Sequence, residues 1–338
     1  ANVQFESGRG ANLAEGRYHI RENRFSLNGL SLDFDGLVEM KENGRINTDI
    51  TFGTNKADFK SLLSLVPAIY MQDFQELETS GKFSLNGKVS GYYQDSILPS
   101  MDMNLQVEDA MFSYPDLPKQ AENIAISLQT FFDGEQPDNT KVNLENFHIE
   151  LAGSPFDASF HLMTPISDPT VDGNVDGRIV LDNLADVLPM EDSDLRGTIT
   201  SDLRLKGSLS MIEQERYDAF LAEGNVNMKD FYFDSPDLPA PMNMNAEMVF
   251  TPQYLNLKQL DARIGESDLH FSGNLSNYLH YVLKDGVIRG DFQLSSNYLN
   301  TNQFMTEGDV EEAPDTGEVE LSLFEVPERT DFKLASSF

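Results

Sequence analysis

The segment Met101-Asp-Met-Asn-Leu-Gln-Val-Glu108 decides the fold class of this 338-residue chain, because apolar and polar side chains alternate along it without interruption. Successive side chains of a β-strand point to opposite faces of a sheet, so this period is typical of a strand with one buried face. The same alternation runs through Phe83–Val89 and returns in roughly 12 to 15 segments, separated by residues that favour turns. Helical spacing is clearest at Lys56–Val66, which Pro67 ends, and has a weak echo at Leu184–Leu188. The sequence therefore predicts an all-β protein with minor α content.

The chain also repeats itself at a distance of 113 to 121 residues. Three pairs of segments match at these distances: Phe83–Ser90 with Leu203–Ser210, Val107–Pro118 with Met228–Pro239, and Val142–Phe147 with Leu255–Leu260. Repetition at this period favours one module added to the next along a single sheet. We therefore predict tandem repeats of antiparallel strands that form a long curled sheet or groove, with a short helix in each repeat.

The matches divide the chain into four parts. The predicted parts are a partial leading repeat at 1–45, a first β repeat unit at 46–172, a second at 173–286, and a truncated further repeat at 287–338. The acidic run at 307–318 is predicted to be a loop inside the last part. The pairs Asp172-Gly173 and Asp176-Gly177 are predicted to be turns rather than parts of a calcium-binding loop. Both Pro-Asp-Leu-Pro copies, at 115–118 and 236–239, are expected in loops or at a sheet edge, because proline cannot donate to a strand ladder.

Composition excludes several classes of function. Asp and Glu number 56 against 24 Lys and Arg, which gives a formal net charge of −32. So acidic a surface repels phosphate backbones, and we expect no nucleic-acid partner. The chain has no cysteine, which excludes disulfides, thiolate metal sites and cysteine nucleophiles. No apolar run approaches the ~20 residues that a membrane-spanning helix needs.

The sequence lacks the motifs of common catalytic and cofactor sites. Neither the Gly-x-Ser-x-Gly elbow nor the His-Glu-x-x-His zinc motif occurs. Gly81–Val89 resembles a phosphate-binding loop only in part, and its alternation places it on a strand. In the repeat alignment His148 matches Asp261 and His270 matches Asp157, so these positions are predicted to be solvent-facing strand sites. We expect no enzymatic activity, no cofactor and no metal.

Two architectures remain for the apolar face of such a sheet. The helical content is too low to cover a sheet on both faces, so the apolar face either meets another sheet or curls onto itself. In the first case the repeats are closed β-sandwich modules that serve in binding, adhesion or assembly without a lipid cargo. In the second case they form a trough whose apolar lining stays open.

The recurring strands with a central glycine, at Phe83–Gly91 and Leu203–Ser210, resemble those of the AsmA-like proteins of Gram-negative envelopes, the family that includes TamB. The segment Tyr114–Pro118 and the run Ala262–Leu275 resemble this family as well, and the resemblance covers most of the chain from Phe25 onward. It implies a β groove of the bridge-like lipid-transfer type, in the periplasm, that carries phospholipid or another acyl-chain lipid between the inner and outer membranes or serves outer-membrane assembly. AsmA-like proteins usually carry an N-terminal membrane anchor, which this sequence lacks. The resemblance therefore implies an excised part of a membrane-anchored protein, whose contacts with the inner and outer membranes lie in regions absent from this chain.

A trough of this kind would hold acyl chains by the hydrophobic effect. Exposing ~15 methylenes to water costs on the order of 12 kcal/mol, which an apolar lining removes. Flexible methionine side chains suit a cargo of variable shape. The candidate groove residues are apolar members of the alternating segments: Phe83, Leu85, Val89, Met103, Leu105, Val107, Phe160, Leu203, Leu205, Leu209, Met244, Met248 and Phe271.

Overall fold

The computed structural model describes residues 2–7, 16–54, 56–65, 77–115, 118–183, 194–235, 238, 240–284, 286–300 and 329–337. Strands dominate these residues, and the α-helices among them are short, which confirms the all-β prediction with minor α content. The weak helical echo at Leu184–Leu188 and the acidic run at 307–318 lie outside the described residues.

The chain folds as two compact units. Unit 1 contains Ala1–Val175, Asp186–Pro189 and Leu205–Ser210. Unit 2 contains Asp176–Ala185, Met190–Arg204 and Met211–Phe338.

Unit 1 is built from antiparallel strands that follow one another along the chain. Its elements are β1 (Asn2–Ser7), β2 (Gly16–Leu27), β3 (Leu30–Met40), β4 (Ile46–Gly53), β5 (Ala57–Asp58), α1 (Phe59–Leu63), β6 (Glu78–Tyr93), β7 (Ser100–Ser113), β8 (Ala121–Phe132), β9 (Lys141–Leu151) and β10 (Ser154–Met163). Each strand pairs antiparallel with the next, except that β4 and β5 both pair with β6. A 3₁₀ turn at Pro137–Asn139 joins β8 to β9.

Two strands change units along their length. β11 (Thr170–Val180) starts in unit 1 and ends in unit 2, whereas β12 (Asp194–Ser208) starts in unit 2 and ends in unit 1. A 3₁₀ turn at Leu181–Asn183 follows β11, and α2 (Leu209–Glu213) follows β12.

Unit 2 continues the antiparallel pattern. Its further elements are β13 (Leu221–Asp234), β14 (Met242–Phe250), β15 (Tyr254–Ile264), β16 (Ser267–Ser276), α3 (Tyr278–Leu283), β17 (Ile288–Ser295) and β18 (Thr330–Ser337). Strands β13 to β17 each pair antiparallel with the next, but β18 pairs in parallel with β17. The tandem antiparallel strands and the short helices agree with the predicted fold class, whereas the positions of α2 and α3 and the parallel pairing of β18 were not predicted.

A bulged strand pair recurs in the two units. In unit 1, Gly81 of β6 has a φ of +93° and faces the bulge of β7, where Asp109 has a φ of +45°. In unit 2, Gly197 of β12 has a φ of +113° and faces the bulge of β13, where Asp230 has a φ of +51°. A β-bulge bends its strand and increases the local twist. Each repeat therefore carries its own bend at the same place.

The best-packed core of unit 1 lies beneath α1. Phe59 of this helix is buried in a cluster with Phe83, Val107, Ala110 and Ile124, which come from β6, β7 and β8. The predicted helix at Lys56–Val66 is confirmed at Phe59–Leu63, while Ala57–Asp58 forms β5 and pairs with β6. This one helix closes one end of the apolar face of the unit.

The prediction of turns at Asp172-Gly173 and Asp176-Gly177 is wrong, because both pairs lie within β11. A β-carbon on Gly173 would lie 3.3 Å from Cδ2 of Phe160 in β10, so this glycine makes room for the neighbouring strand. The carboxylate of Asp172 accepts a hydrogen bond from Lys206 of β12 at 2.6 Å. Of the proline-rich copies, Pro115 and Pro118 lie between β7 and β8, outside any strand, as predicted, and Pro236 and Pro239 lie outside the described residues.

Candidate functional site

Unit 1 presents a row of apolar side chains across five strands. Leu85 of β6, Leu105 of β7, Leu128 of β8, Leu144 of β9 and Phe160 of β10 follow one another in register from strand to strand. Opposite side chains on one face have Cβ atoms about 5 Å apart, so the row is a continuous apolar strip roughly 20 Å long. All five residues are half-buried, so the strip stays in contact with solvent.

A second row runs beside the first and is shaped by stacked rings. Phe52 of β4 is opposite Gly87 of β6, which is opposite Met103 of β7. A β-carbon on Gly87 would lie 2.3 Å from Cζ of Phe52, so the ring of Phe52 lies across the glycine. Phe34 of β3 stacks on Phe52 with the ring centroids 5.9 Å apart. Met103 and the neighbouring candidate Val89 are half-buried on this face.

The two candidates at the other end of this face are packed rather than open. Phe83 and Val107 are opposite one another in β6 and β7, and they are 1% and 2% exposed. Both belong to the cluster beneath Phe59 of α1. The apolar face of unit 1 therefore has a closed end under α1 and a partly buried remainder.

Unit 2 carries a similar apolar face. Met248 of β14 is opposite Leu257 of β15, and Phe271 of β16 is opposite Leu260 of β15. Met248 and Phe271 are half-buried, as is Met244, which lies on the same face of β14. These three candidates are therefore also only partly buried.

A ring over a glycine recurs in unit 2. A β-carbon on Gly273 of β16 would lie 2.7 Å from Cδ1 of Phe292 in β17, as one on Gly87 would meet Phe52. Phe332 of β18 meets Phe292 edge to face, with the ring centroids 5.7 Å apart. Aromatic rings thus fill the positions where the strands lack a side chain.

The remaining candidates lie on β12 and at the start of α2. Leu203, in unit 2, and Leu205, in unit 1, are half-buried, whereas Leu209 is buried. Of the thirteen candidates, Phe83, Val107 and Leu209 are therefore buried and the other ten are half-buried.

Several members of the apolar rows were not among the sequence candidates. They are Phe34, Phe52, Leu128, Leu144, Leu257 and Phe292. The match of Val142–Phe147 with Leu255–Leu260 places Leu144 and Leu257 at equivalent positions, so the repeat itself could have found these two. Phe52 has no such signal, because its role depends on the glycine opposite it.

The opposite face of the sheet is polar and carries cross-strand ion pairs. In unit 1, Lys88 lies 2.8 Å from Asp49 and Arg24 lies 2.7 Å from Asp33. In unit 2, Lys258 lies 2.6 Å from Glu247. Exposed pairs of this kind add little stability, but they show which face meets water.

One polar pair recurs in the two units with its partners exchanged. Nδ1 of His148 in β9 lies 2.7 Å from Oδ1 of Asp157 in β10, and Nδ1 of His270 in β16 lies 2.6 Å from Oδ1 of Asp261 in β15. The alignment matches His148 with Asp261 and His270 with Asp157. Each unit therefore has one histidine and one aspartate at this cross-strand pair, but on exchanged strands. These side chains are partly exposed on the polar face, as the sequence predicts. Each histidine is also hydrogen-bonded to the aspartate opposite it.

Both nitrogens of each imidazole face a carboxylate. Nε2 of His148 lies 3.6 Å from Glu150, and Nε2 of His270 lies 3.3 Å from Asp268. The hydrogen bonds to Asp157 and Asp261 raise the pKa of His148 and of His270, respectively, and the pKa of Asp261 is lowered by its bond to His270. This geometry is that of an ion pair rather than of a base held beside a nucleophile.

A shallow depression of about 610 Å³ lies on the polar face of unit 2. Its lining includes Asn256, Asn274, Gln293 and Lys333. Amide and charged groups of this kind suit polar ligands, although Leu257 and Phe292 of the apolar rows also contribute to the lining.

Metal and membrane-helix signals are weak in the described part of the chain. No group of three or more His, Asp or Glu side chains there has the geometry to hold a metal ion. In the same residues no helix is long and apolar enough to cross a bilayer.

Comparisons of the chain with protein-family models, with curated proteins and with solved structures found no match. We therefore base the functional proposal on the geometry described above.

Proposed function

We propose that this chain holds the acyl chains of phospholipid or of another lipid against its apolar sheet faces without catalysing a reaction. In this proposal it is a periplasmic segment of an AsmA-like envelope protein that serves lipid transport between membranes or outer-membrane assembly. The observation that carries the proposal is the set of apolar rows, such as Leu85 to Phe160 in unit 1, that stay only partly buried in a folded unit.

Leaving such rows in water is unfavourable. Burial contributes roughly 25 cal/mol for each Å² of apolar surface removed from water, so covering the exposed part of this strip with an acyl chain is favourable. The same contact removes most of the cost, on the order of 12 kcal/mol, of exposing a lipid tail.

The closed β-sandwich is the alternative function class, a binding or structural module without lipid. Its apolar face would be covered by a second sheet and its large side chains would be fully buried. In the described residues of unit 1, Phe59, Phe83 and Val107 meet this expectation beneath α1, and Leu85 and Leu105 pack against the same cluster. All five members of the row from Leu85 to Phe160 still keep part of their surface exposed, so the row is not fully covered. The partly buried row therefore favours a lipid cargo.

Native mass spectrometry of protein purified from bacteria tests the proposal. We expect the wild-type chain to carry lipid and the double variant Leu105→Gln/Leu144→Gln, which places amides in the middle of the unit 1 row, to lose most of it. The matched control is Asp102→Asn/Glu145→Gln, which changes exposed residues on the polar face of the same strands, β7 and β9. A wild-type chain that carries no lipid and takes up no fluorescent phospholipid contradicts the proposal, and so does an equal loss in the control.

A further inference from the structure

Strongly exposed apolar side chains of unit 1 gather at one edge of its sheet. This edge, called loop edge A, is where β6, β8 and β10 end and where β7 and β9 begin. Tyr93, Leu98, Met163 and Ile166 are exposed there, and Ile166 reaches 60%. None of these side chains belongs to the packed cluster beneath α1, so folding of unit 1 does not explain them.

Hydrogen bonds hold the loops of this edge together. The backbone nitrogens of Ile166 and Ser167 donate to Oδ1 of Asp138 at 3.2 Å and 2.9 Å. The backbone nitrogen of Leu98 donates to the carbonyl oxygen of Gly134 at 3.4 Å. Leu98 and Ile166 are thus presented to solvent by loops tied to their neighbours.

The equivalent edge of unit 2 has the same character. Loop edge A of unit 2 is where β14 and β16 end and where β13, β15 and β17 begin. Leu221, Tyr254, Val282 and Val287 are exposed there, and Val282 in α3 reaches 73%. The hydroxyl of Tyr278 in α3 donates to the carbonyl oxygen of Thr251, which ties α3 to the turn between β14 and β15.

The side-chain types at these edges suit a lipid–water interface. Aliphatic tips on fixed loops insert among acyl chains, and tyrosine prefers the boundary where one end is apolar and the other is wet. In unit 1 the apolar face reaches this edge as well, because Met101 and Phe132 are opposite one another at the ends of β7 and β8. A lipid that leaves a bilayer at loop edge A would meet the apolar face at once.

We infer that loop edge A of each unit inserts into the surface of a bilayer of neutral phospholipid, where the chain exchanges its cargo. This inference rests on the proposed function, and it assigns a membrane contact to this chain itself, whereas the family resemblance implies contacts only in regions absent from it. The net charge of −32 disfavours anionic bilayers, so apolar insertion rather than charge drives the contact. The exposed residues are spread singly over strand ends, loops and α3, which favours a fluid lipid surface over the contiguous core of a protein interface.

Flotation of the full chain with phosphatidylcholine vesicles tests the inference. The triple variant Leu98→Ser/Ile166→Ser/Val282→Ser removes three exposed tips, and we expect its partitioning into vesicles to fall at least about tenfold, because each tip loses its transfer free energy. The matched control is Phe25→Ser/Tyr298→Ser, at side chains that are 56% and 54% exposed but lie toward the opposite strand ends, and it should float like the wild type.

Three results overturn the inference: no flotation of the wild type, equal flotation of the triple variant, or binding that requires anionic lipid and is lost in salt. Native mass spectrometry on the same samples separates this inference from the proposed function. A wild type that carries lipid but does not float contradicts the membrane contact alone, and would favour a protein partner at this edge. A wild type without bound lipid contradicts the proposed function instead.

Discussion

Gly81 and Gly197 set the bend of the two repeats at the residue scale. Each has a positive φ that side chains rarely adopt, and each lies against the backbone of a bulge on the next strand. The sequence shows both as glycines inside alternating segments, which is compatible with a bulge or with a close approach. Only the register of β6 with β7 shows that Gly81 lies both at a bulge and in close contact with the neighbouring backbone.

The substitution Gly81→Ala should destabilise the protein by about 3 kcal/mol, from backbone strain together with steric overlap. The new β-carbon would lie 2.5 Å from Cα of Ala110, which is backbone and does not move aside. Gly153→Ala is the control, because Gly153 has a φ of +78° but nothing within 4 Å, so only the strain of about 1 kcal/mol remains. Urea unfolding followed by circular dichroism measures both, and equal losses would contradict the close approach.

The exchanged His–Asp pairs predict a pH dependence. The pKa of His148 and of His270 is raised by the neighbouring carboxylates, so their contribution to stability is complete below the unfolded pKa of about 6.5 and is lost as the pH rises through the folded values. The urea midpoint of the wild type should therefore fall between pH 6 and pH 8.5 by more than that of His148→Gln/His270→Gln.

His161→Gln is the matched control for this experiment. Nδ1 of His161 lies 3.4 Å from Oδ1 of Asn143, and its Nε2 lies 4.0 Å from a carboxylate oxygen of Glu145. This variant should keep the pH dependence of the wild type. If His148→Gln/His270→Gln also kept the wild-type pH dependence of the urea midpoint, the two His–Asp pairs would not be the source of that dependence.

At the scale of elements, helix α1 decides how much of the apolar face of unit 1 is closed. Its residue Phe59 is 3% exposed and packs on Phe83 and Val107. The sequence predicts the helix from the spacing of Phe59, Leu62 and Leu63. It does not predict which strand residues the helix covers, because that depends on how the later strands β6, β7 and β8 pack against it. Phe83 and Leu85 have the same alternation in sequence, yet one is buried and the other is only partly buried.

Phe59→Ala should destabilise unit 1 by about 3 to 4 kcal/mol, since it leaves a cavity under a short helix. Leu65→Ala is the control, at a side chain just beyond α1 that is 39% exposed, and should cost less than about 1 kcal/mol. Thermal unfolding followed by circular dichroism distinguishes them. A similar loss in both variants would contradict the closed end beneath α1.

Other elements could not be predicted from the sequence, for physical reasons. α2 and α3 are as short as α1 but lack the proline that ends the helical spacing after α1, so they do not stand out from the alternating strands around them. Glycine after aspartate favours turns, yet β11 keeps Asp172-Gly173 in a strand because a neighbouring strand needs the space. The parallel pairing of β18 is set by a connection of more than thirty residues, which no local pattern determines.

At the scale of the whole molecule, charge works against compactness. With 56 acidic and 24 basic residues, the folded chain repels itself, and salt screens that repulsion. Raising NaCl from 20 mM to 500 mM at pH 7.5 should raise the melting temperature by a few degrees, about 2 to 5 °C. The increase should shrink at pH 5, closer to the sequence pI of about 4.3, and an unchanged increase there would contradict self-repulsion as the cause.

The repeats could be read from the sequence because local matches survive in pairs, as between Val107–Pro118 and Met228–Pro239. Their alternation predicts which residues share a face. It does not predict whether that face is covered, which depends on how α1 and the loops pack. The lipid proposal therefore rests on exposure rather than on pattern.

Photolabelling with a phosphatidylcholine that carries a diazirine in one acyl chain tests the central claim most directly. After irradiation, digestion and peptide mass spectrometry locate each label on the chain. The account predicts labels on the apolar row at Leu105, Leu128 and Leu144, and none on Asp102 or Glu145 of the polar face. Labels spread equally over both faces, or no label on the row, would contradict it.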